Sequence, residues 1–410
     1  MRRVLLILAI VPAVLVAIIA VVVLVFALRL RHQRARQEAL FPFYNPPIPL
    51  AAGHPGDVIR SEPVDNAPAG VTALRVLYHS TSDQNRDLAV SALVLVPGGP
   101  APAGGFPVVA LAHGTVGNAR VCAPSLEPFE DRLTQASFYD QMLASFITAG
   151  YAVAATDYVG LGTPGVAPYL VGEDAGRNVL DAARMIRRLA GLSLSDTTFI
   201  WGHSQGGQAA AFAGQLAPTY APELHILGVV AGSPAAELGL LANEAAAVTK
   251  RSPLTGLIVM IVRAWSVAYP NAKAESMLTA RAVDRMKVID EDCVAGDLLA
   301  FLLRPAPDYI KAGGVKAAPW PELITRNTPG AARTPAPMLI FQGGSDPLIR
   351  PQFTASFVQR LCAVGDTVAF NQYAGKGHLS VIEPSMPDTL AWMSDRTRGG
   401  APPTACQPSS

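Results

Sequence analysis

Short apolar segments alternate with longer segments of helical pattern over most of the chain. The later apolar segments carry few polar positions, as in strands that are covered on both faces of a sheet. This alternation predicts an α/β protein with a mostly parallel central sheet, preceded by two antiparallel strands. The predicted strands are, in chain order, Leu74–Tyr78, Leu88–Val96, Phe106–Ala112, Tyr151–Thr156, Thr197–Trp201, Ile226–Ala231, Met338–Phe341 and Thr367–Tyr373.

Helices are predicted between the strands at Phe138–Ala149, which Gly150 closes, and at Asp174–Ala190. The alternation stops over residues 235–335, where the sequence is rich in Ala and Leu and mostly helical. We predict that this segment is a helical cap, inserted over the carboxyl edge of the sheet before the last two strands. Its apolar helix Pro253–Ala268 fits either packing in the cap core or contact with an acyl chain or lipid surface.

The first 40 residues have a different pattern. Val4–Leu28 is uninterrupted apolar sequence with two arginines before it and four after it. As a helix it would be about 37 Å long, enough to cross a hydrocarbon core of about 30 Å. The apolar region of a cleaved signal peptide is usually shorter, about 7–15 residues. We therefore predict an N-terminal transmembrane helix within residues 1–40, with secretion after signal cleavage as the alternative. The flanking charges do not decide its orientation.

The rest of the chain is predicted to be one α/β core that the cap divides into residues 41–234 and 336–410. Half of the 410 residues are hydrophobic, 15% are charged, and the net charge is +1, which is typical of a globular protein. Outside the N-terminus there is no basic stretch and no nucleic-acid-binding motif. We therefore expect no nucleic-acid partner.

The four cysteines are too widely spaced for a C-x-x-C pair, so the sequence predicts neither a zinc site nor a redox motif. We expect no metal and no cofactor. In an exported domain an even number of cysteines predicts two disulfides, with three possible pairings. In a cytoplasmic domain the same residues would be free thiols. The residues concerned are Cys122, Cys293, Cys362 and Cys406.

The candidate chemistry centres on residues 202–206, Gly-His-Ser-Gln-Gly, which match the G-x-S-x-G nucleophile elbow. A β-branched and aromatic strand precedes them and an Ala-rich helix follows, which is the strand, turn and helix that the motif requires. Ser204 is the candidate nucleophile, and the flanking glycines leave room for the close approach of strand and helix. The pattern fixes only three positions, so it must be supported by a base and an acid elsewhere.

In this architecture the acid and then the histidine base follow the nucleophile along the chain. Only His225 and His378 follow Ser204. His225 precedes a predicted strand, whereas His378 lies in a glycine-flanked loop after the last strand, at the edge where sites of open α/β sheets form. By the same reasoning the acid is Asp346, which follows a strand, rather than Asp366, which begins one.

An oxyanion in such a site is held by two backbone N–H groups. Gln205, directly after the nucleophile, is expected to supply one. The loop His113–Gly117 (H-G-T-V-G) follows the strand Phe106–Ala112 and is expected to supply the other. Within it we favour Thr115, whose hydroxyl would add a third donor, over Val116. The alternative is that this loop is only a tight turn.

Further motifs resemble those of the secretory lipase family of α/β-hydrolases, as in yeast lipase A and its actinobacterial relatives. The resemblance covers roughly residues 41–406. It implies the α/β-hydrolase fold and carboxylester hydrolysis, with Ser204, Asp346 and His378 at the triad positions. The motifs are C-A-P-S at Cys122–Ser125, D-x-x-G at Asp157–Gly160, a glycine-bounded helix start and L-D-x-x-R at Gly172–Arg184, and Y-A-P-E-L at Tyr220–Leu224.

The resemblance also implies the disulfides Cys122–Cys293 and Cys362–Cys406, which would fit a catalytic domain outside the cytoplasm. The expected function is that of a serine carboxylester hydrolase, a lipase or esterase, acting on lipid or other acyl esters through an acyl-enzyme. Two alternatives remain at this stage. One is an envelope acyltransferase with the same triad, and the other is a non-catalytic, membrane-tethered binding protein.

Overall fold

The structure is a computed structural model that describes residues 31–129 and 136–406, together with Val21, Leu24, Val25 and Leu28. The anchor predicted at Val4–Leu28 therefore lies almost entirely outside the described residues. In the part of the chain that is described, no helix combines the length and apolar character needed to cross a membrane. The chain separates into two units: the first ends at Phe43 and includes nearly all of helix α1 (31–44), and the second begins at Tyr44 and contains the sheet, the cap and the candidate site.

A nine-stranded sheet forms the centre of this unit. The strand order is β1-β2-β3-β5-β4-β6-β7-β8-β9. The pairs from β1 to β5 are antiparallel, and all pairs from β5 through β4 to β9 are parallel. The strands are β1 (Val58–Pro63), β2 (Val71–Thr81), β3 (Asp87–Pro97), β4 (Phe106–Ala112), β5 (Ala152–Thr156), β6 (Leu194–His203), β7 (His225–Gly232), β8 (Met338–Gly343) and β9 (Val368–Tyr373).

Helices cover both faces of the sheet. The described helices are α1 (31–44), α2 (Ala136–Thr148), α3 (Gly172–Arg188), α4 (Gln205–Tyr220), α5 (Leu238–Ala246), α6 (Leu254–Ala268), α7 (Ala274–Met277), α8 (Ala280–Arg285), α9 (Val294–Leu302), α10 (Trp320–Arg326), α11 (Pro351–Ala363) and α12 (Ile382–Thr397). The α2 and α12 helices pack on one face of the sheet, and α3 packs on the other. Because both faces are covered, the buried central positions of the parallel strands are mostly apolar, as the sequence pattern predicts.

The segment between β7 and β8 contains α5 to α10 and no strand of the sheet. We call residues 235–335 the cap. The cap has an apolar core of its own, which includes Trp265, Phe301 and Trp320 and reaches Tyr169 on a loop of the α/β core. The predicted apolar helix is α6, whose central side chains are buried in the cap core. Core packing, rather than contact with a lipid surface, therefore accounts for that helix.

The cap lies against loops at the carboxyl edge of the parallel strands. The Trp265 Nε1–H donates to the Tyr169 carbonyl at 3.1 Å, and the Val294 N–H donates to the Val116 carbonyl at 2.8 Å. Both acceptors belong to loops that follow strands, β5 and β4 respectively. The cap thus covers the edge at which the candidate site residues are expected.

Candidate active site

Ser204 occupies a sharp turn between β6 and α4. Its φ is +60° and its ψ is −118°, a region that non-glycine residues rarely adopt. The two flanking glycines are required by sterics. A Cβ on Gly202 would lie 2.0 Å from the Gly206 carbonyl oxygen, and a Cβ on Gly206 would lie 2.0 Å from the Ala112 carbonyl oxygen. The turn therefore projects the Ser204 side chain outward, with β4 and α4 packed close beside it.

His378 lies between Ser204 and Asp346. The Ser204 Oγ is 2.9 Å from His378 Nε2, and His378 Nδ1 is 2.7 Å from Asp346 Oδ2. With Nδ1 protonated, His378 donates to the carboxylate and accepts the hydrogen bond of the Ser204 hydroxyl. The structure thus brings together, in one hydrogen-bonded chain, three residues that are 174 and 32 positions apart in sequence.

The carboxylate of Asp346 is fully buried and surrounded by donors. Its Oδ1 accepts from the N–H groups of Leu348 and Ile349 at 2.8 and 2.9 Å, and its Oδ2 accepts from Gln342 Nε2 at 3.2 Å. Burial by itself would raise the pKa of Asp346, but the hydrogen bonds and charge interaction with His378 and the two N–H groups outweigh it and lower the pKa. Asp346 is therefore held as a carboxylate that can orient His378.

Backbone contacts join the loops that carry Asp346 and His378. The N–H of Ser345 donates to the Lys376 carbonyl at 2.8 Å, and the N–H of Gly344 donates to the Tyr373 carbonyl at 2.8 Å. A Cβ on Gly343 would lie 2.6 Å from the Lys376 carbonyl oxygen, so a larger residue would separate the loops. The glycines after β8 therefore set the distance between Asp346 and His378.

His203 precedes Ser204 in the chain but takes no part in the hydrogen bonds that link Ser204, His378 and Asp346. Its ring is buried, and its centroid lies 4.8 Å from that of His378 and 6.3 Å from that of Phe341. Burial, followed by the neighbouring His378, lowers the pKa of His203 to about 3. A neutral ring therefore packs beside His378.

The predicted oxyanion loop reaches the nucleophile. A Cβ built on Gly114 would lie 3.9 Å from the Ser204 Cβ, which leaves only a narrow space between loop and serine. The Thr115 hydroxyl forms a hydrogen bond of 2.8 Å with the Tyr169 hydroxyl. Gln205 is the first residue of α4, so its N–H has no intrahelical partner. The roles of Gln205 and Thr115 as donors stay predictions.

A disulfide connects the segment directly after the oxyanion loop to the cap. Cys122 is bonded to Cys293, directly before α9, with their Cα atoms 5.5 Å apart, and the second disulfide joins Cys362 to Cys406. Both pairings implied by the family resemblance are confirmed. Gly117, which closes the oxyanion loop, would bring a Cβ within 2.9 Å of the Cys122 sulfur and the Cys293 Cα. The cross-link thus fixes the cap against this loop.

Two of the family motifs contact each other beneath the oxyanion loop. The buried Asp157 accepts hydrogen bonds from the Ser125 hydroxyl, from the Ser125 N–H at 3.0 Å and from Ser91 Oγ at 2.6 Å. The Asp157 carbonyl is 3.1 Å from His113 Nε2, the first residue of the oxyanion loop. The C-A-P-S and D-x-x-G motifs are therefore supports of the loop rather than reacting groups.

The rejected candidates lie elsewhere. His225 is exposed at the start of β7, the end of the strand away from Ser204. Asp366 precedes β9 and accepts from the N–H of Thr334 at 2.8 Å. Sequence reasoning did not identify Gln342 or Tyr169, which position Asp346 and Thr115. A single polar residue at the end of the apolar strand β8 is a signal for Gln342, whereas nothing in the local pattern distinguishes Tyr169.

Over residues 31–129 and 136–406 the side chains of His, Cys, Asp and Glu form no group of three or more suited to a metal ion. The groups gathered around Ser204 are instead a hydroxyl, an imidazole, a carboxylate and backbone N–H groups. Such a set can remove a proton from a hydroxyl, hold an oxyanion and return the proton to a leaving group. This is the chemistry of acyl transfer.

Proteins of similar sequence or structure are named lipases. A protein of Mycobacterium tuberculosis (strain CDC 1551 / Oshkosh), named a probable inactive lipase, is 29% identical over 380 residues, which cover 87% of this chain and 82% of that protein. Lipase 2 of Candida albicans is 26% identical over 397 residues, covering 89% and 82%. The structure of Candida antarctica lipase A in its closed state matches with a TM-score of 0.75 at 22% identity, over 89% of this chain and 87% of that one.

The structural match shows that the fold is that of an α/β-hydrolase. At 22% sequence identity the match shows the fold alone. A profile of the secretory lipase family matches residues 128–404, well over half of the chain. The resemblance found in the sequence motifs is therefore confirmed, and the chain belongs to the secretory lipase family.

Proposed function

We propose that the protein is a serine carboxylester hydrolase that cleaves lipid or other acyl esters through an acyl-enzyme. The observation that carries the proposal is the hydrogen-bonded chain from Ser204 through His378 to the buried Asp346, with links of 2.9 and 2.7 Å. The names of the related lipases support an ester of a lipid as the substrate.

In the acylation step His378 Nε2 takes the Ser204 proton while the Ser204 Oγ forms a bond to the ester carbonyl carbon. The carbonyl oxygen becomes an oxyanion, which the N–H groups of Gln205 and Thr115 stabilise by about 3–4 kcal/mol per donor. His378 then gives the proton to the leaving alkoxide oxygen, the ester C–O bond breaks, and the alcohol departs. Asp346 remains ionised and holds the imidazolium in place.

In the deacylation step His378 takes a proton from water, and the hydroxide oxygen forms a bond to the acyl carbon. The bond to Ser204 Oγ breaks, the serine recovers the proton from His378, and a carboxylic acid is released. The cap over the carboxyl edge limits the access of bulk water, which strengthens electrostatic interactions within the site. No metal or cofactor is needed for either step.

A fluorophosphonate probe tests the nucleophile directly, because it phosphonylates only an activated serine. We expect the wild-type chain to be labelled and Ser204→Ala not to be labelled, with at least a thousandfold loss of ester hydrolysis. Ser233, a buried serine at the end of the adjacent β7, offers a matched control, since Ser233→Ala should keep the labelling. Labelling that persists in Ser204→Ala would refute the proposal.

One relative favours a second function, that of a non-catalytic binding protein, because it is named a probable inactive lipase. The intact triad geometry of the present chain argues against it. An absence of probe labelling in the wild-type chain, with the protein folded, would support this second function.

An acyltransferase uses the same triad with an alcohol acceptor in place of water. Product analysis separates the two reactions: a hydrolase releases free acid in the presence of added glycerol or trehalose, whereas a transferase forms the new ester. We propose hydrolysis as the main reaction.

The two disulfides and the membership of a secretory family support a location outside the cytoplasm. We propose that Val4–Leu28 retains the protein at the membrane, with secretion after cleavage as the alternative. Sequencing the amino terminus of the mature protein tests this: a terminus upstream of Val4 supports retention, and one downstream of Leu28 supports secretion.

A further inference from the structure

Exposed apolar side chains are concentrated at one place on the cap. From Tyr44 onward, six large apolar side chains are exposed in the described residues, and three of them lie at the end of α9. Leu299 and Leu303 are 62% and 57% exposed, and Leu302 is 36% exposed. We call these three residues the leucine patch. The other three are single residues elsewhere: Ile48, Leu240 and Val267.

The leucine patch is the outer face of an amphipathic helix with an unusual composition. The inner face of α9 carries Asp297, Ala300 and Phe301, all buried, and helical spacing places Leu299 and Leu303 on the opposite side. An outer helix face normally carries charged or polar side chains, but here it is apolar. Contiguous exposed apolar groups of this kind usually mark a contact surface.

A cationic cleft adjoins the leucine patch. Its volume is about 590 Å³, and it is lined by Arg281, Asp284, Arg285, Leu303, Arg304 and Tyr309. Leu303 belongs to both the patch and the cleft, so the two features are continuous. Three arginines face one aspartate, which gives the lining a net charge of +2.

Two of these arginines supply unpaired charge. Arg304 lies 3.4 Å from Asp308, outside the lining, and forms an ion pair with it. Arg281 and Arg285 are exposed, and among the described residues neither forms an ion pair. A net positive charge beside an apolar patch complements a surface that offers both anionic headgroups and hydrocarbon.

We propose that the leucine patch and the cationic cleft together form a docking surface for an anionic phospholipid bilayer. The leucines enter the boundary between headgroups and acyl chains, while Arg281 and Arg285 bind headgroup phosphates. A second copy of the chain is disfavoured as the occupant, because the same positive cleft would face itself across a symmetric contact.

The position of α9 connects this surface with the active site. The helix begins directly after Cys293, whose disulfide to Cys122 and the hydrogen bond from Val294 to Val116 fix it to the oxyanion loop. A nine-residue helix is about 14 Å long, so docking at its far end holds the bilayer within about 14 Å of that cross-link. The benefit for catalysis rests on the proposed ester hydrolysis, whereas the docking itself does not require Ser204.

Docking is tested with an environment-sensitive nitrobenzoxadiazole dye on Leu302→Cys, in the full chain carrying Ser204→Ala. The described chain has no free cysteine, so the dye has one site among the residues described. Because the N-terminal segment can itself insert into vesicles, the dye reports the contact of the patch rather than total binding. The probes are vesicles of phosphatidylcholine alone and of phosphatidylcholine with 30% phosphatidylglycerol.

We expect blue-shifted, brighter emission with the anionic vesicles and no such change with the neutral ones. The control label at Val267→Cys, half exposed on α6, should not respond. Arg285→Glu should weaken the response at position 302 roughly tenfold or more, whereas Lys287→Glu, an exposed lysine paired with Glu291, should change it less than twofold. Equal responses at positions 302 and 267, or no response to anionic vesicles, would overturn the proposal.

A catalytic measurement then distinguishes this proposal from the proposed function. In the enzyme with Ser204 intact, Leu299→Ser combined with Leu303→Ser should lower hydrolysis of an ester embedded in anionic vesicles at least tenfold. Hydrolysis of a soluble short-chain ester should stay within twofold. Loss of activity on both substrates, or on neither, contradicts a docking role, and neither result bears on whether Ser204 is the nucleophile.

Discussion

The fold gives two buried aspartates opposite environments. Asp346, after β8, is surrounded by three N–H donors and His378, and its pKa is lowered. Asp297, on α9 of the cap, is equally buried, but in the described structure neither of its carboxyl oxygens has a hydrogen-bond partner. Burial, together with Asp292 and Asp290, raises the pKa of Asp297 to about 8.

The comparison shows that burial alone does not decide the charge of a carboxyl group. Donors that the backbone has already oriented stabilise the ionised form of Asp346 at the carboxyl edge of the sheet. The inner face of α9 has no such donors, so Asp297 is expected to stay protonated at neutral pH. The sheet edge is therefore built to hold charge, whereas the inner face of α9 is built to pack.

The largest expected effect is on catalysis. Asp346→Asn should lower kcat for a soluble ester by about 10³–10⁴-fold, because the amide cannot hold His378 in the required tautomer. The matched change Asp297→Asn, another buried aspartate, should leave kcat within a few-fold. Steady-state kinetics on both variants measure the difference. Similar losses of kcat in the two variants would show that the hydrogen-bond partners of Asp346 do not account for its importance.

The next effect concerns the attachment of the cap. Cys122→Ala with Cys293→Ala should lower the free energy of unfolding by about 2–5 kcal/mol, because the disulfide closes a long loop in the unfolded chain. The Cys362–Cys406 disulfide closes a shorter loop, with a sequence separation of 44 rather than 171. Its removal by Cys362→Ala with Cys406→Ala should therefore lower the free energy of unfolding by about 1 kcal/mol less.

The two disulfides should also differ in their effect on kcat. Only the first pair joins the oxyanion loop to α9, so only its loss should lower kcat at a temperature where both variants remain folded. Urea unfolding followed by kinetics measures both quantities. Equal losses of kcat in the two double variants would mean that the Cys122–Cys293 disulfide does not position the loop.

Over a single pH unit the smallest effect is the pH dependence of stability, which should have opposite signs at the two aspartates. The pKa of Asp297 is raised on folding, so the folded state retains a proton that the unfolded state loses above about pH 4. The stability of the wild-type protein therefore falls as pH rises from about 4 to about 8 through this group. Asp297→Asn should remove that slope, about 1.4 kcal/mol per pH unit.

Asp346 behaves in the other direction because its pKa is lowered on folding. Its contribution to stability is present above about pH 4 and is lost as pH falls through its folded pKa. Denaturant unfolding between pH 3 and pH 8 should show the advantage of Asp297→Asn over wild type growing with pH. The deficit of Asp346→Asn should shrink in acid. Parallel curves for the two buried aspartates would contradict their assigned environments.

Much of the α/β core follows from local pattern. Apolar runs such as residues 106–112 and 338–341 predict β4 and β8. Strands that are covered on both faces are read from the sequence as continuous apolar runs. The polar edge strand β1 has no such run, and α12 contains Pro384 and Pro387, which disfavour a helix by local rules. Neither element is predicted, because tertiary packing rather than propensity stabilises both.

By itself, the sequence determined the strand, turn and helix around Ser204, the chain order of the three candidate site residues, the family and the helical nature of the cap. These are local or ordered signals: glycine spacing, apolar periodicity and motifs along one chain. Only the tertiary structure decided which loops meet, and so brought Gln342 to Asp346 and Tyr169 to Thr115. It also separated the apolar α6, buried in the cap core, from α9, whose leucines are exposed. Burial depends on what packs against a helix, and a periodic pattern does not record its neighbours.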